Sequence, residues 1–390
     1  MLDYSSLLSK TVTSLPSSGI RKFFDLLENM QDVTALTVGH PDFVTPWHIR
    51  EAGILSLERG KTYYTSNSGP LDLRRAISSY LTRRFGIEAY DPKSEIIVTV
   101  GGSEAIDIAM RAVLSPGDEI IIPYPSFVCY EPLAKMTGAT PIIIDTRAED
   151  SFKLTPEALK KAITPRTKML VLPFPNNPTG AIMTKDELES IADILRDTNI
   201  LVLSDEIYAE LTYGQRHTSI ASIDGMRERT VLVSGFSKAY AMTGWRLGYL
   251  CAPAPLASQM LKLHQYAIMC APTVSQFAAI EAMDNGDADV AEMVEEYDRR
   301  RKYIYEGLRS IGIECFEPLG AFYVWPSIEK FGLSSEEFCS RLLYEQKCAI
   351  VPGTAFGRCG EGFARISYAY SVKHITEALE RIEAFIKTIK

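Results

Sequence analysis

Between about residues 95 and 255 the sequence alternates short β-branched or apolar runs with amphipathic stretches of helical period, and few folds accept that pattern. The runs are Glu95–Val100, Glu119–Pro123, Thr140–Ile144, Lys168–Leu172, Ile200–Leu203, Thr230–Ser234 and Gly248–Cys251. Helix-like stretches such as Ser103–Leu114, Pro156–Ile163 and Lys185–Arg196 lie between them. The last follows Thr184 with Glu187 three residues on, a capping-box pattern. Alternation of this kind implies crossover connections, which lay neighbouring strands parallel under helices on both faces. The expected fold class is α/β, with a mostly parallel seven-stranded sheet covered by helices.

After about residue 285 the character changes. Val290–Ser310 is a long, highly charged helical stretch. Strand-like Ala321–Trp325, a helix near Ser334–Gln346, a strand at Ala364–Tyr368 and a terminal helix from Val372 follow it. A chain of 390 residues exceeds one typical domain. We therefore expect a large domain over 46–285 and a smaller α+β domain over 286–390. The segment 1–45, with a helix near Ile20–Met30, is expected to pack on the smaller one.

Composition narrows the function classes. A net charge of −8 argues against a broad nucleic-acid or anionic-membrane surface, though it leaves room for a local basic pocket. The seven cysteines (Cys129, Cys251, Cys270, Cys315, Cys339, Cys348 and Cys359) are scattered and form no CxxC, so no metal site is expected. Scattered thiols fit a reducing compartment. The start lacks a basic segment followed by an apolar core, and no run of about 18 apolar residues exists. Together these give a cytoplasmic expectation.

In open α/β sheets ligands bind beyond the carboxyl ends of the strands, so the polar residues that follow each apolar run are the candidates. Four segments stand out. Gly101-Gly102-Ser103-Glu104 offers a glycine turn and a helix start, which suits an anion; a tight turn with Ser103 as a cap is the plain alternative. Asn176-Asn177-Pro178-Thr179-Gly180 reads alone as a turn. Asp205 opens Asp205-Glu206-Ile207-Tyr208 at a strand end, where an acid is also a common helix cap. Ser237-Lys238 is followed eight residues later by Arg246; a lone lysine is normally a solvated surface residue. A phosphate seat, an acid, a lysine and an arginine at successive strand ends are, taken together, the parts needed to hold pyridoxal 5′-phosphate.

The blocks Asn177-Pro178-Thr179-Gly180, Ser204-Asp205-Glu206-Ile207-Tyr208 and Ser237-Lys238 through Gly244-Trp245-Arg246-Leu247-Gly248 resemble the signatures of class I/II aminotransferases, of the fold type I group. The resemblance runs from Gly39-His40-Pro41-Asp42-Phe43 to Arg365-Ile366-Ser367-Tyr368. Ser18-Gly19-Ile20-Arg21-Lys22 and Gly320-Ala321-Phe322-Tyr323 are similar to the prokaryotic aromatic/aspartate branch.

The resemblance implies a role for each position. Lys238 forms a Schiff base with the cofactor and then moves a proton between the substrate Cα and the cofactor, a step typically worth about 10²–10⁴ in rate. Asp205 pairs with the pyridinium nitrogen, and Asn177 and Tyr208 hydrogen-bond the phenolic oxygen. Phe127 stacks on the ring, with a core phenylalanine as the alternative. Gly102, Ser103, Ser237 and Arg246 hold the phosphate. Tyr64 reaches the phosphate of a partner subunit, which implies a homodimer; alternatively Tyr63 takes that place and Tyr64 packs in the core. Arg365 grips the substrate α-carboxylate bidentately, the alternative being an edge-strand arginine in a surface ion pair. Gly39 lies near the same carboxylate, where a side chain would obstruct it. His40 stands where the branch often has Glu, and Gly235 where some relatives carry a phosphate-binding Ser.

The implied reaction transfers an amino group between an α-amino acid, aromatic or otherwise neutral, and a 2-oxo acid such as 2-oxoglutarate. A C–S β-lyase would use the same cofactor residues. A non-enzymatic cofactor-sensing regulator would need a DNA-binding domain, and the resemblance begins within about 20 residues of the first residue, leaving no space for one.

Overall fold

All seven apolar runs are strands of one sheet in the computed structural model, which describes residues 2–17, 19 and 30–389. The strands are Ile96–Thr99, Glu119–Tyr124, Thr140–Asp145, Thr167–Leu172, Leu201–Asp205, Thr230–Gly235 and Gly248–Cys251. In space, Ile96–Thr99 lies at one edge, followed by Gly248–Cys251, Thr230–Gly235, Leu201–Asp205, Thr167–Leu172, Glu119–Tyr124 and Thr140–Asp145. Only Gly248–Cys251 runs antiparallel to its neighbours. The carboxyl ends of the other six therefore share one rim of the sheet.

The apolar runs are long because the strands are covered on both faces: every residue of Glu119–Tyr124 and of Thr230–Gly235 is buried. Thr140–Asp145, at the edge, is the exception, with only Ile144 buried. The helix Lys185–Arg196 opens with the full capping box. The Thr184 hydroxyl accepts from the Glu187 amide, and the Glu187 carboxylate accepts from the Thr184 amide.

A second apolar cluster gathers Leu36 with Tyr297, Phe322, Phe338 and Phe385. Over it lies a three-stranded antiparallel sheet with Ala364–Ser367 between Val351–Pro352 and Tyr323–Val324. The strand Thr34–Ala35 pairs in parallel with Cys348–Ala349, tying the early chain to this layer. From there residues 36–43 run to the sheet rim, held by the Leu36 carbonyl accepting from Ser367 and by Arg300 donating to both Asp42 oxygens at 2.8 and 2.9 Å. The helix expected at Ile20–Met30 lies, except for Met30, outside the described residues, as does most of Ser18–Lys22.

The 24-residue helix Asp287–Ser310 is about 36 Å long and joins the two layers. It buries Val290, Met293, Tyr297, Arg300, Arg301, Ile304 and Leu308, a single stripe at helical spacing. Among the described residues no helix is long and apolar enough to cross a membrane, and no group of three His, Cys, Asp or Glu could hold a metal ion. All seven cysteines are free.

His48, on the helix Trp47–Glu58, bridges two further helices: Nδ1 meets Glu281 at 2.7 Å and Nε2 meets Asp289 at 3.0 Å. Burial pulls its pKa down, but the hydrogen bonds to Asp289 and Glu281 outweigh this and leave it raised. A group with a raised folded pKa stabilises fully below its unfolded pKa, about 6.5 for His, and loses that contribution as pH rises through the folded value. The melting temperature of the wild type relative to His48→Gln should therefore be highest near pH 6 and converge above neutrality. A difference independent of pH would show that the bridge carries no ionised imidazole.

Candidate active site

Four of the six aligned strand ends converge on a cleft of about 400 Å³, within the usual range for small-molecule sites. Ile96–Thr99 leads into the helix Gly101–Val113, whose first turn presents unpaired backbone N–H groups. Thr167–Leu172 leads to Asn177, Leu201–Asp205 ends on Asp205, and Thr230–Gly235 leads to Ser237 and Lys238. Val38, Gly39 and His40 close the cleft from the early chain, and Tyr323 and Arg365 close it from the three-stranded sheet. Gly102, Ser103, Phe127, Tyr208 and Arg246 also line it.

Close packing of backbone fixes the helix start. A Cβ on Gly248 would come within 2.5 Å of the Gly101 carbonyl carbon, and one on Gly235 within 2.9 Å of Gly248 Cα. The absence of a hydroxyl-bearing side chain at 235 thus has a steric reason. Gly101 has φ +72°, and a Cβ there would meet Arg246 Nη2 at 2.7 Å, so the arginine lies directly over the turn. Arg246 itself takes a left-handed backbone (φ +51°), and its Nη1 donates to the Thr243 carbonyl at 3.1 Å.

Charge is uneven here: Lys238, Arg246 and Arg365 face a single carboxylate, Asp205. Lys238 Nζ donates to the Gly39 carbonyl at 2.5 Å. Burial, then the Arg365 and Arg246 charges, lower its pKa to about 8, and Asp205 opposes them. Asp205 is buried and its pKa is raised chiefly by desolvation, against hydrogen bonds donated by Tyr130 at 2.7 Å and by the Ile207 amide at 3.2 Å. The second bond is a local turn contact; no helix begins after Asp205, so the helix-cap alternative does not hold. A desolvated carboxylate of this kind favours a protonated ring nitrogen beside it.

Arg365 lies on the central strand, is buried, and makes no salt bridge among the described residues, which excludes the edge-strand alternative. Nη1 donates to Asn177 Oδ1 at 3.0 Å and Nη2 to the Thr37 carbonyl at 2.6 Å, while Nε has no partner. Burial lowers its pKa. An orphaned donor on a buried guanidinium is the mark of a site that awaits an anion. Asn177 accepts from Arg365 through its oxygen, which leaves its amide nitrogen to the cleft.

Two expectations are modified. A Cβ at Gly39 would overlap the Tyr323 hydroxyl, so the first obstruction at 39 is a neighbouring side chain. Tyr64 does not pack in the core: it is 78% exposed, is absent from the walls of its own cleft, and adjoins the also exposed Tyr63. Phe127 lines the cleft while also packing on the core beside Tyr130, ring centroids 6.2 Å apart. Sequence reasoning missed Tyr130 as the partner of Asp205. Its one signal is a position three residues after Phe127.

The chain matches the family described as aminotransferase class I and II over residues 31–382. It belongs to that family. The Bacillus subtilis protein YugH, named as an aminotransferase, is 51% identical over 98% of this chain and 99% of the relative. Aromatic-amino-acid aminotransferase 2 of Thermococcus litoralis is 42% identical over 98% of this chain and 99% of its own. The Thermus thermophilus aspartate aminotransferase structure with maleate superposes at TM-score 0.92 and 38% identity, covering 97% of this chain and 99% of that one. The fold is that of fold type I, and the enzyme is a transaminase.

The lowered lysine pKa is directly measurable. In the ligand-free aminotransferase, limiting acetylation followed by peptide mass spectrometry should show Lys238 reacting with a midpoint near pH 8. Surface lysines should titrate near their ordinary value of about 10.4. A midpoint for Lys238 in that ordinary range would show that burial and the two arginines do not act on it.

Proposed function

We propose that the cleft holds pyridoxal 5′-phosphate, attached through Lys238 Nζ, and that each residue on the walls has one task toward it or toward substrate. The carrying observation is the charge pattern: one depressed amine, one desolvated carboxylate and two further cations around a single cleft. The residues fit the group. The Gly102 and Ser103 amides, the Ser237 hydroxyl and Arg246 suit a phosphate dianion; Asp205 suits a pyridinium; the Asn177 amide and the Tyr208 hydroxyl are free to donate to a phenolic oxygen; Phe127 offers an aromatic face. Bound there, the cofactor supplies a protonated ring that accepts the electron pair left when a substrate Cα–H bond breaks.

The protein does the rest. Asp205 keeps the ring nitrogen protonated, and Tyr130 fixes the orientation of that carboxylate. Lys238, with a pKa near 8, is poised to hold the Cα proton as a base near neutrality. Arg365 takes the substrate α-carboxylate through its unpartnered Nε and its neighbouring N–H groups.

The remaining wall is largely apolar, with Val38, Ile106, Pro173, Pro175 and Ile207. The Lys238, Arg246 and Arg365 cations all have tasks, so among the described residues no further fixed positive charge on the walls is left for a side-chain carboxylate. That supports aromatic or otherwise neutral amino acids as donors, with a 2-oxo acid such as 2-oxoglutarate as acceptor. The Thermococcus relative is named for aromatic amino acids and the Thermus structure for aspartate.

The exposure of Tyr64, together with that of Trp47 and Tyr266 (58% and 89%), supports a homodimer in which Tyr64 serves the partner's phosphate. The division into 46–285 and 286–390 is supported for the stretch around Leu36 by the cluster that joins it to Phe338 and Phe385, whereas the helix Lys10–Ser14 packs against Tyr130–Met136 of the larger part. Seven free thiols suit a cytoplasmic location.

Lys238→Ala should abolish the cofactor's visible absorbance on the protein and lower turnover by at least about 10²-fold. A chromophore still fixed by borohydride in that variant would refute the assignment. Arg365→Ala should raise KM for amino acid and oxo acid alike by about 10- to 100-fold, the worth of a bidentate charged contact. Unchanged KM values would remove Arg365 from substrate binding.

A further inference from the structure

We propose that Tyr323 is a positioning residue for the transamination: its hydroxyl donates to the Tyr208 hydroxyl and thereby keeps the Tyr208 proton directed into the cleft. The inference rests on the reading above, in which Tyr208 faces the phenolic oxygen of pyridoxal phosphate.

The two hydroxyl oxygens lie 2.9 Å apart, and both side chains are buried. Neither hydroxyl has another hydrogen-bond partner among the described residues. A phenol hydroxyl carries one proton and two lone pairs, so a pair of such groups leaves one proton unspent, at one end or the other. If Tyr208 gave its proton to Tyr323, the cleft would face a lone pair where the cofactor needs a donor. If Tyr323 donates, the Tyr208 proton is free for the ligand, and the first bond polarises the second.

The Arg365 contact sets that direction, and two further features keep the Tyr323 hydroxyl protonated and in place. The Arg365 guanidinium lies 4.5 Å from the centre of the Tyr323 ring, and a cation over a phenol makes its hydroxyl a stronger donor. Burial raises the Tyr323 pKa while Arg365 opposes it, so the hydroxyl keeps its proton. Position 39 has no side chain, and a Cβ there would overlap the Tyr323 hydroxyl. The glycine therefore makes room for this hydroxyl, in addition to any substrate group. The Gly39 carbonyl meanwhile accepts from Lys238 Nζ, so one residue borders both the amine and the hydroxyl pair.

The test is a spectrophotometric pH titration of the Lys238–cofactor chromophore in the holoenzyme. A hydrogen bond from Tyr208 stabilises the ionised phenolic oxygen and holds the chromophore pKa down. Tyr208→Phe should raise that pKa, and Tyr323→Phe should raise it in the same direction by about 0.2–0.6 pH units, the share expected of a polarising neighbour. Because Tyr323 acts through Tyr208, the double variant should match Tyr208→Phe alone. Phenylalanine keeps the ring that Arg365 covers, so packing is preserved, and Gly39→Ala, which crowds the same hydroxyl, should shift the titration the same way. An unmoved pKa in Tyr323→Phe, or shifts that simply add in the double variant, would overturn the proposal while leaving the cofactor reading intact. Failure of the wild type to form any chromophore would bring down both.

Discussion

Bringing three positive charges into one cleft with a single carboxylate is costly, and that cost shapes the rest of the site. Charges taken from water into a partly buried space repel one another more strongly than at the surface. The protein answers in two ways. It lets the weakest base yield, so that Lys238 drops to about 8 under burial and the fields of Arg365 and Arg246. It also holds the strongest base on oxygen dipoles, Asn177 and the Thr37 carbonyl, with no counter-charge of its own. A cleft built so is incomplete until anions arrive. The same imbalance that weakens the empty protein becomes affinity for a phosphate and a carboxylate.

The scaffold puts these groups at one rim by a topological device. Because Gly248–Cys251 runs against its neighbours, Ile96–Thr99 beyond it points the same way as Thr230–Gly235. The helix start after Ile96–Thr99 and the lysine after Thr230–Gly235 thus open into one space. The segment 36–43 crosses to that rim anchored near both ends, by the Leu36 ladder bond and the Asp42–Arg300 pair. Gly39 and His40 are positioned by those anchors more than by their own conformational preference.

The seven strands are legible in the sequence because burial on both faces forces continuous apolar runs, and each run survives as a strand within a residue or two. The residues at strand ends are legible for a related reason: they break the apolar pattern where the sheet stops. Lys238, Asp205, Asn177, Gly102 and Ser103 all do so, and all face the cleft. Tyr130 and Tyr323 are not legible in this way. Their hydrogen-bond partners lie 75 and 115 residues away, and a tyrosine in a half-buried segment is as good a packing residue as a donor. The steric reason for Gly39 was hidden for the same cause, since its neighbour comes from the far end of the chain. Pattern reveals where the backbone stops, and only tertiary contact reveals what a phenol touches.

The glycine contacts at 101, 235 and 248 carry a further consequence. Three backbones pressed together without side chains leave the turn over which Arg246 lies no freedom to widen or shift. In this chain a carbon added at 248 would meet the backbone of the turn itself, so that corner resists remodelling for a larger anion. Chemical variety must instead be written on the opposite wall, in the 38–40 segment and the three-stranded layer, which can drift without disturbing the strands that carry the amine.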